Sequence, residues 1–324
     1  MGDRAFRDLA VVVNAHAGRV RRAPGLHERL TRLVGASRLA WTTTAEEAAA
    51  ALPELREAGV DALAIVGGDG TVTGTLTPLL RAWNDESKDL PAIALLAGGT
   101  INTIARGLGA SGPPDRALER LIAEGPSRVR PLECLAVRSA ADGAASGCEP
   151  PPRYGMIFGL GVVARWLERY YASAARGPGA AAAVVARSVG SILIRGALAR
   201  DLFAPFEAKL ETDQVAIDTM QISGLAAGAL PEIGLGFRPF FTAGKADGRF
   251  HWIWTDTPGP ALLLEMPAAR LGRALPGGAL RHGSTSRLSI RLSRPESFTV
   301  DGDLFGPSDA LDLTVGPELR LLVA

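Results

Sequence analysis

The sequence predicts two domains, an N-terminal α/β domain on a mostly parallel sheet and a second domain rich in strands. Three observations carry that reading. In the first third of the chain, short apolar runs alternate with turn residues and helical stretches, as strands joined by crossover helices do. Two of those runs pass straight into glycine loops, which places both loops at strand carboxyl ends. After about Leu132 the texture changes: Ser139 to Pro152 reads as a Gly/Ala/Pro loop, and the runs beyond it are shorter and strand-like. The predicted boundaries are residues 1–132 for the first domain and 133–303 for the second.

The first strand is Leu9 to Val13, a continuous apolar run ending in Asn14, and the loop Ala15 to Arg19 leads to a helical stretch from about Gly25 to Leu33. Leu39 to Trp41 is a second short strand. Thr44 and Glu47 after it are spaced as a capping box before an Ala-rich helix that stops near Gly59. Ala62 to Val66 and Ile93 to Leu96 are two further buried strands, each followed by a glycine loop and a helix; Pro78 should kink or shorten the helix it falls in. In the second domain the candidate strands are Tyr154 to Phe158, Ala208 to Glu211, Gln214 to Ile217, Met220 to Ser223, Phe250 to Trp254, Leu288 to Leu292 and Phe298 to Val300. One helical region spans roughly Val162 to Arg200.

Composition excludes several classes. The chain has 324 residues, 47% hydrophobic and 21% charged, so it buries a substantial core and is neither disordered nor fibrous. Lys+Arg 35 against Asp+Glu 34 leaves a net charge of +1, which removes the bulk electrostatic reason to expect a nucleic-acid partner. No apolar run reaches the roughly 18 residues needed to cross a bilayer, because the Ala-rich stretch after Gly179 meets Arg187 and Arg195. The start has no signal-peptide apolar region, and Phe6 stands where a myristoylation signal needs Ser or Thr. A cytoplasmic protein is the expectation. Cys134 and Cys148 with four scattered histidines make neither a disulfide framework nor a zinc spacing.

The strongest chemical signal is Gly67-Gly68-Asp69-Gly70-Thr71, directly between a strand and a helix. Glycines let the backbone turn sharply and aim several N–H groups into one concavity, where a helix N-terminus adds positive potential, so phosphate is the natural guest. Asp69 is unhelpful to a bare anion but sensible beside a divalent cation such as the Mg²⁺ that accompanies ATP. The alternative is a tight turn in which Asp69 caps the helix. Ala97-Gly98-Gly99-Thr100-Ile101-Asn102 has the same placement, and the two loops with Asn14 and Thr42 could line one nucleotide site; alone, the second loop reads equally as an ordinary turn. Neither a Walker A lysine nor a G-x-G-x-x-G run occurs at either loop. Near the end, Phe298-Thr299-Val300 runs into Asp301-Gly302-Asp303, two carboxylates suited to a general base and a partner that holds it, or else a plain Asp-Gly turn.

In this order the pieces resemble the catalytic domain of the diacylglycerol kinase, sphingosine kinase and ceramide kinase family, closest to its bacterial lipid kinase branch. Asn14-x-x-x-Gly18 is similar to the family's N-P-x-x-G, and Gly67 to Thr71 matches its G-G-D-G-T. Ala97 to Arg106 resembles P-L-G-T-x-N-D-F-A-R, Phe158 to Gly161 a small glycine turn before a helix, Asp247-Gly248 a later D-G, and Asp301-Gly302-Asp303 its D-G-E. The resemblance is specific in the first 110 residues and looser after 160. It implies a nucleotide-binding α/β domain and a C-terminal β-sandwich domain, with ATP and lipid meeting between them and the last segment, about 304–324, returning to the first domain. It places ATP contacts on Thr42, on Gly67, Gly68, Asp69, Gly70, Thr71, Val72 and Thr73, and on Thr100, with Asn14, Gly99 and Asn102 beside them. It makes Asp303 the proton acceptor and implies a structural metal at Asp247; the loop residues themselves add Asp301 and Asp69 as catalytic candidates, with Mg²⁺ at Asp69.

Departures from the family pattern are Ala15 for Pro, Thr73 for Asn, Thr103 for Asp and the shorter Asp303 for Glu. The expected activity is transfer of the ATP γ-phosphate to a hydroxyl of a diacylglycerol-like or sphingoid lipid. The alternatives are an NAD kinase-like enzyme, or a nucleotide- or lipid-binding member of the fold without turnover. Arg165, Arg187, Arg195 and Arg200, set among apolar helical residues, suit peripheral contact at the inner membrane surface or simply the solvated face of core helices. The oligomeric state is left open, a homodimer included.

Overall fold

The computed structural model describes residues 6–83, 90–99, 102–107, 110, 112–143, 150–172, 187, 191, 196–233, 236–245, 247–257, 260–276 and 278–323. The chain divides into two compact units, Met1–Glu133 with Pro317–Ala324, and Cys134–Gly316.

The first unit runs β1 (Leu9–Asn14), α1 (Leu26–Val34), β2 (Leu39–Thr42), α2 (Ala45–Glu57), β3 (Ala62–Gly67), α3 (Asp69–Ala82), β4 (Ala92–Ala97), α4 (Thr103–Gly107) and α5 (Pro114–Glu124). The strands are parallel in the order β4-β3-β1-β2, and the returning Leu321 and Leu322 add parallel to Ile93 and Ala94 of β4. Helices cover the sheet, so β3 and β4 are buried at every position, which is why each reads as an unbroken apolar run. On one side Val11, Val13, Ala64, Val66 and Leu96 pack against Leu26 and Leu30 of α1 and Leu118 and Leu121 of α5.

Local signals act largely as their chemistry dictates. The Thr44 hydroxyl accepts the Glu47 N–H at 3.2 Å, while the Glu47 carboxylate reaches back to the Thr43 N–H at 2.6 Å, so the capping box closes one residue early. Pro78 does not shorten its helix: α3 continues through it to Ala82. Val72, Leu76, Leu79 and Leu80 bury a continuous stripe along α3, and that packing offsets the one backbone bond the proline removes.

The second unit is antiparallel. After β5 (Arg128–Ser139), which enters it from the first unit, come α6 (Ala140–Gly143), β6 (Arg153–Gly155), β7 (Ile157–Gly161), α7 (Val162–Ala172), α8 (Ala197–Leu202), β8 (Phe206–Thr212), β9 (Ala216–Ile222) and β10 (Gly224–Gly228). They are followed by β11 (Phe250–Thr255), α9 (Pro260–Leu271), β12 (Arg281–Thr285), β13 (Arg287–Val300) and β14 (Asp303–Val323). Strand order is β12-β11-β10-β7-β13-β14, with β8 also on β13 and β9 on β8. The fold class is therefore that expected, a parallel α/β part and an antiparallel C-terminal part.

Several element assignments are corrected. Leu288 to Leu292 and Phe298 to Val300 belong to one strand, β13, whose register shifts between Arg291 and Phe298 absorb Pro295 as a bulge. Gln214 to Ile217 and Met220 to Ser223 merge into β9, and Tyr154 to Phe158 breaks at Met156. Residues 303–314 pair antiparallel with β13, so they lie in the second unit and only Pro317–Ala324 returns to the first. Of the helical region from Val162 to Arg200, the described residues include α7 and the start of α8; 173–186, 188–190 and 192–195 lie outside them.

In this unit His251 is buried at 1% exposure. Its Nδ1 accepts the Thr242 N–H at 3.2 Å, and its Nε2 has no partner among the described residues. Burial, and then the neighbouring His282, push its pKa down from 6.5 to about 4. The unfolded chain therefore binds the proton first on acidification, and stability present above pH 6.5 is lost as pH falls towards 4. Urea unfolding should show a loss of up to about 3 kcal/mol from this group across that window, absent in His251→Gln. An unchanged slope in the variant would remove His251 as its cause.

Candidate active site

Strands β1, β3 and β4 all release their chains at the same end of a parallel sheet, the end at which open α/β sheets bind ligands. Asn14, the last residue of β1, accepts the His16 N–H on Oδ1 at 2.9 Å and donates from Nδ2 to the Thr71 hydroxyl at 2.9 Å. Thr42, the last residue of β2, is buried and donates its hydroxyl to the Val13 carbonyl at 3.0 Å.

The two glycine loops stack on one another. Gly98 and Gly99 both donate N–H to the Gly67 carbonyl at 2.9 Å. A Cβ on Gly99 would sit 2.3 Å from the Gly68 Cα, and one on Gly67 would overlap the Thr71 side chain at 2.3 Å. Close backbone approach is thus one reason for the glycines, independent of any ligand. Asn102, in the left-handed region at φ 55, closes the second loop by accepting the Gly99 N–H on Oδ1 at 2.7 Å and donating Nδ2 to the Gly99 carbonyl at 2.8 Å.

Asp69 is the first residue of α3 and ties the loops together: its Oδ1 accepts the Ile104 N–H at 2.9 Å. The Thr73 hydroxyl donates to the Asp69 carbonyl at 3.2 Å. Gly68 and Asp69 are half-buried and Gly70 is exposed, whereas Val72 and Thr73 point inward. The first unit thus brings together Asn14, Thr42, Gly67 to Thr73, Gly99 and Asn102. Thr100 and Ile101 lie outside the described residues. The tie to Ile104 was not legible in the sequence, because a backbone N–H leaves no residue signature.

In the second unit Asp301 and Gly302, at φ 50 and 94, form the two-residue turn between β13 and β14, with Val300 opposite Asp303. The Asp-Gly turn alternative is therefore real, but the two carboxylates differ. Asp301 is buried, and its carboxylate accepts the N–H groups of Met156 at 2.9 Å and Ile157 at 2.7 Å, fixing the break between β6 and β7. Those bonds engage it as a structural clamp, which is a poor position for a base. Asp301→Ala should cost about 2–4 kcal/mol in urea unfolding by stranding two N–H groups, and Asp301→Asn less. Wild-type stability in Asp301→Ala would show the clamp to be idle.

The Asp303 carboxylate has no hydrogen bond or ion pair among the described residues, and burial raises its pKa above the ordinary 3.8. A desolvated, unpaired carboxylate is the state in which a proton acceptor is strongest. The Tyr171 hydroxyl donates to the Gly302 carbonyl at 2.8 Å, a contact to the turn that sequence reasoning missed. Asp247 is exposed; Arg249, two residues on, spends its guanidinium on Asp213 at 3.3 Å and the Ser284 carbonyl at 2.6 Å.

Residues 8–134 match the model of the diacylglycerol kinase catalytic domain. The likeness to that family lies in this segment of the chain. The matched segment spans β1 to the start of β5 and contains both glycine loops, Asn14 and Thr42, while Asp247, Asp301 and Asp303 lie beyond the matched residues. No curated protein matches the chain. Solved structures resemble it along its whole length: a diacylglycerol kinase from Bacillus anthracis, 16% identical with a TM-score of 0.65, covers 99% of this chain and 98% of its own. Two more from that organism, provisionally described as diacylglycerol kinases, are 18% and 17% identical with TM-scores of 0.68 and 0.69 and cover 99% of both chains. At that identity the likeness is one of fold.

Among the described residues no group of three or more His, Cys, Asp or Glu is assembled to hold a metal ion. The loop residues therefore fit Mg²⁺ only as a companion of bound phosphates, with Asp69 as the single loop carboxylate, since Mg²⁺ keeps several waters and asks for one or two carboxylates. Asp247 belongs to no such group among the described residues, and the guanidinium of Arg249, two residues on, is paired with Asp213.

Proposed function

We propose that the protein is an ATP-dependent lipid kinase that transfers the γ-phosphoryl group to a hydroxyl of a diacylglycerol-like or sphingoid lipid. The observation that carries this reading is the pair of stacked glycine loops, at neighbouring parallel strand ends, inside the segment that matches the diacylglycerol kinase catalytic-domain model. The first turn of α3, with Asn14 and Thr71, supplies N–H and hydroxyl groups to the nucleotide phosphates. Mg²⁺, arriving with ATP, supplies charge neutralisation at the phosphates, and Asp69 is the residue that would hold it.

In the transfer, the lipid hydroxyl oxygen bonds to the γ-phosphorus as the bond from that phosphorus to the β,γ-bridging oxygen breaks, and ADP leaves with that oxygen. The hydroxyl proton passes to the Asp303 carboxylate. Thermal-shift titration with ATP and Mg²⁺ tests the binding half: the melting temperature should rise with ligand concentration. No shift at millimolar ATP would overturn this nucleotide assignment. A panel of mixed-micelle diacylglycerols and sphingoid bases then separates the acceptor classes.

A further inference from the structure

Helix α9 packs Leu262, Leu263 and Ala269 inward yet also buries a carboxylate and leaves two leucines in the open. Its Glu265 is 3% exposed and accepts the Gly278 and Ala279 N–H groups on Oε1, both at 3.1 Å, while Leu264 is 79% exposed and Leu271 is 60% exposed. Leu264 and Leu271 are seven residues apart and so lie on one stripe, and the exposed Pro267 falls between them. A helix in water is expected to place such a stripe against the core, so this one is built for another apolar phase.

Its surroundings say which. Arg270 and Arg273, both exposed, close the carboxyl end of the stripe. The preceding loop is fixed against the same end, through the Arg238 N–H on the Ala269 carbonyl at 2.7 Å and the Arg270 guanidinium over the Phe237 ring at 5.5 Å, and it adds Ile233 at 46% exposure. Apolar side chains rimmed by arginines match the acyl and phosphate layers of an anionic lipid surface, the geometry of a helix lying in the interfacial plane. A second copy of the chain would bring the same arginines against themselves, which disfavours that occupant.

We infer that α9 is an interfacial docking helix that seats the protein on anionic bilayers through Leu264, Pro267 and Leu271, with Arg270 and Arg273 on the headgroups. This rests on the lipid kinase reading for its purpose but not for its test. The probe is sedimentation of the full chain with phosphatidylglycerol/phosphatidylcholine vesicles containing neither diacylglycerol nor ATP. Wild type should bind these vesicles and bind pure phosphatidylcholine more weakly. Leu264→Asp with Leu271→Asp should lower the partition coefficient at least tenfold without lowering the melting temperature, because neither side chain packs inward. Arg270→Glu with Arg273→Glu should remove the preference for anionic lipid, at about fivefold per arginine at low salt.

Equal vesicle binding by wild type and the leucine double variant would overturn the proposal. So would a wild-type dimer in light scattering that the same substitutions convert to monomer with vesicle binding unaltered, since the stripe would then bind a second copy. Phosphoryl transfer to a water-soluble short-chain diacylglycerol, without vesicles, should be unaffected by the substitutions. If wild type transfers phosphate to no acceptor yet still binds vesicles through α9, the kinase reading fails and the docking surface stands.

Discussion

Asp303→Asn should lower phosphoryl transfer by a factor of about 100 to 10,000, the range by which a positioned general base accelerates proton removal. ATP binding should persist. The substitution breaks no hydrogen bond, because the carboxylate has none among the described residues, and it removes a charge that burial disfavours. Between pH 3.8 and its raised folded value, the folded protein holds this proton more tightly than the unfolded chain does. Asp303 therefore destabilises the fold as pH rises through that window, and at neutral pH the Asn variant should melt at the wild-type temperature or above it. For the same reason kcat/KM of the wild type should climb with pH through a point above 3.8. A variant that is both inactive and less stable would point to a structural role instead.

Asp69 calls for two substitutions, because its carboxylate serves two purposes on this account. Asp69→Ala removes the acceptor of the Ile104 N–H as well as the charge, and should cost about 1–2 kcal/mol of stability together with at least a hundredfold in turnover. Asp69→Asn retains a side-chain oxygen for Ile104 and should keep the melting temperature, yet lose turnover to a similar extent, because the negative charge facing the nucleotide's Mg²⁺ is gone. The diagnostic result is the Asn variant: near wild-type kcat would reduce Asp69 to the tie between the two loops.

The first unit was legible because its strands are buried on both faces, so that Leu9 to Val13, Ala62 to Val66 and Ile93 to Leu96 stand out as continuous apolar runs between turn residues. The second unit hid its elements for specific reasons. β10, Gly224-Leu-Ala-Ala-Gly228, has no β-branched residue, since a Cβ at Gly224 would strike Val162 and one at Gly228 would strike the Phe240 ring. α9 went unread because its apolar residues do not keep to one face: Leu262, Leu263 and Ala269 pack inward beside the buried Glu265, while Leu264 and Leu271 are exposed.

At the candidate site, the positions of the glycine loops were readable from their placement after strands, but their mutual packing was not, since it depends on two segments far apart in sequence. The roles of Asp301 and Asp303 were inseparable in Asp-Gly-Asp. They part only once the fold delivers the Met156 and Ile157 N–H groups to Asp301, across 145 and 144 residues, and delivers none to Asp303.

On the proposed reading, this chain moves the γ-phosphate of ATP to a lipid hydroxyl with Asp303 as the proton acceptor. Incubation of wild type and Asp303→Asn with γ-labelled ATP, Mg²⁺ and diacylglycerol or sphingoid mixed micelles, followed by lipid extraction, tests it directly. Wild type should deposit label in the lipid phase as a phosphomonoester, and the variant, with an unaltered ATP thermal shift, should leave that phase unlabelled. Label that stays wholly in the aqueous phase with wild type, or appears equally in both lipid extracts, would contradict the account.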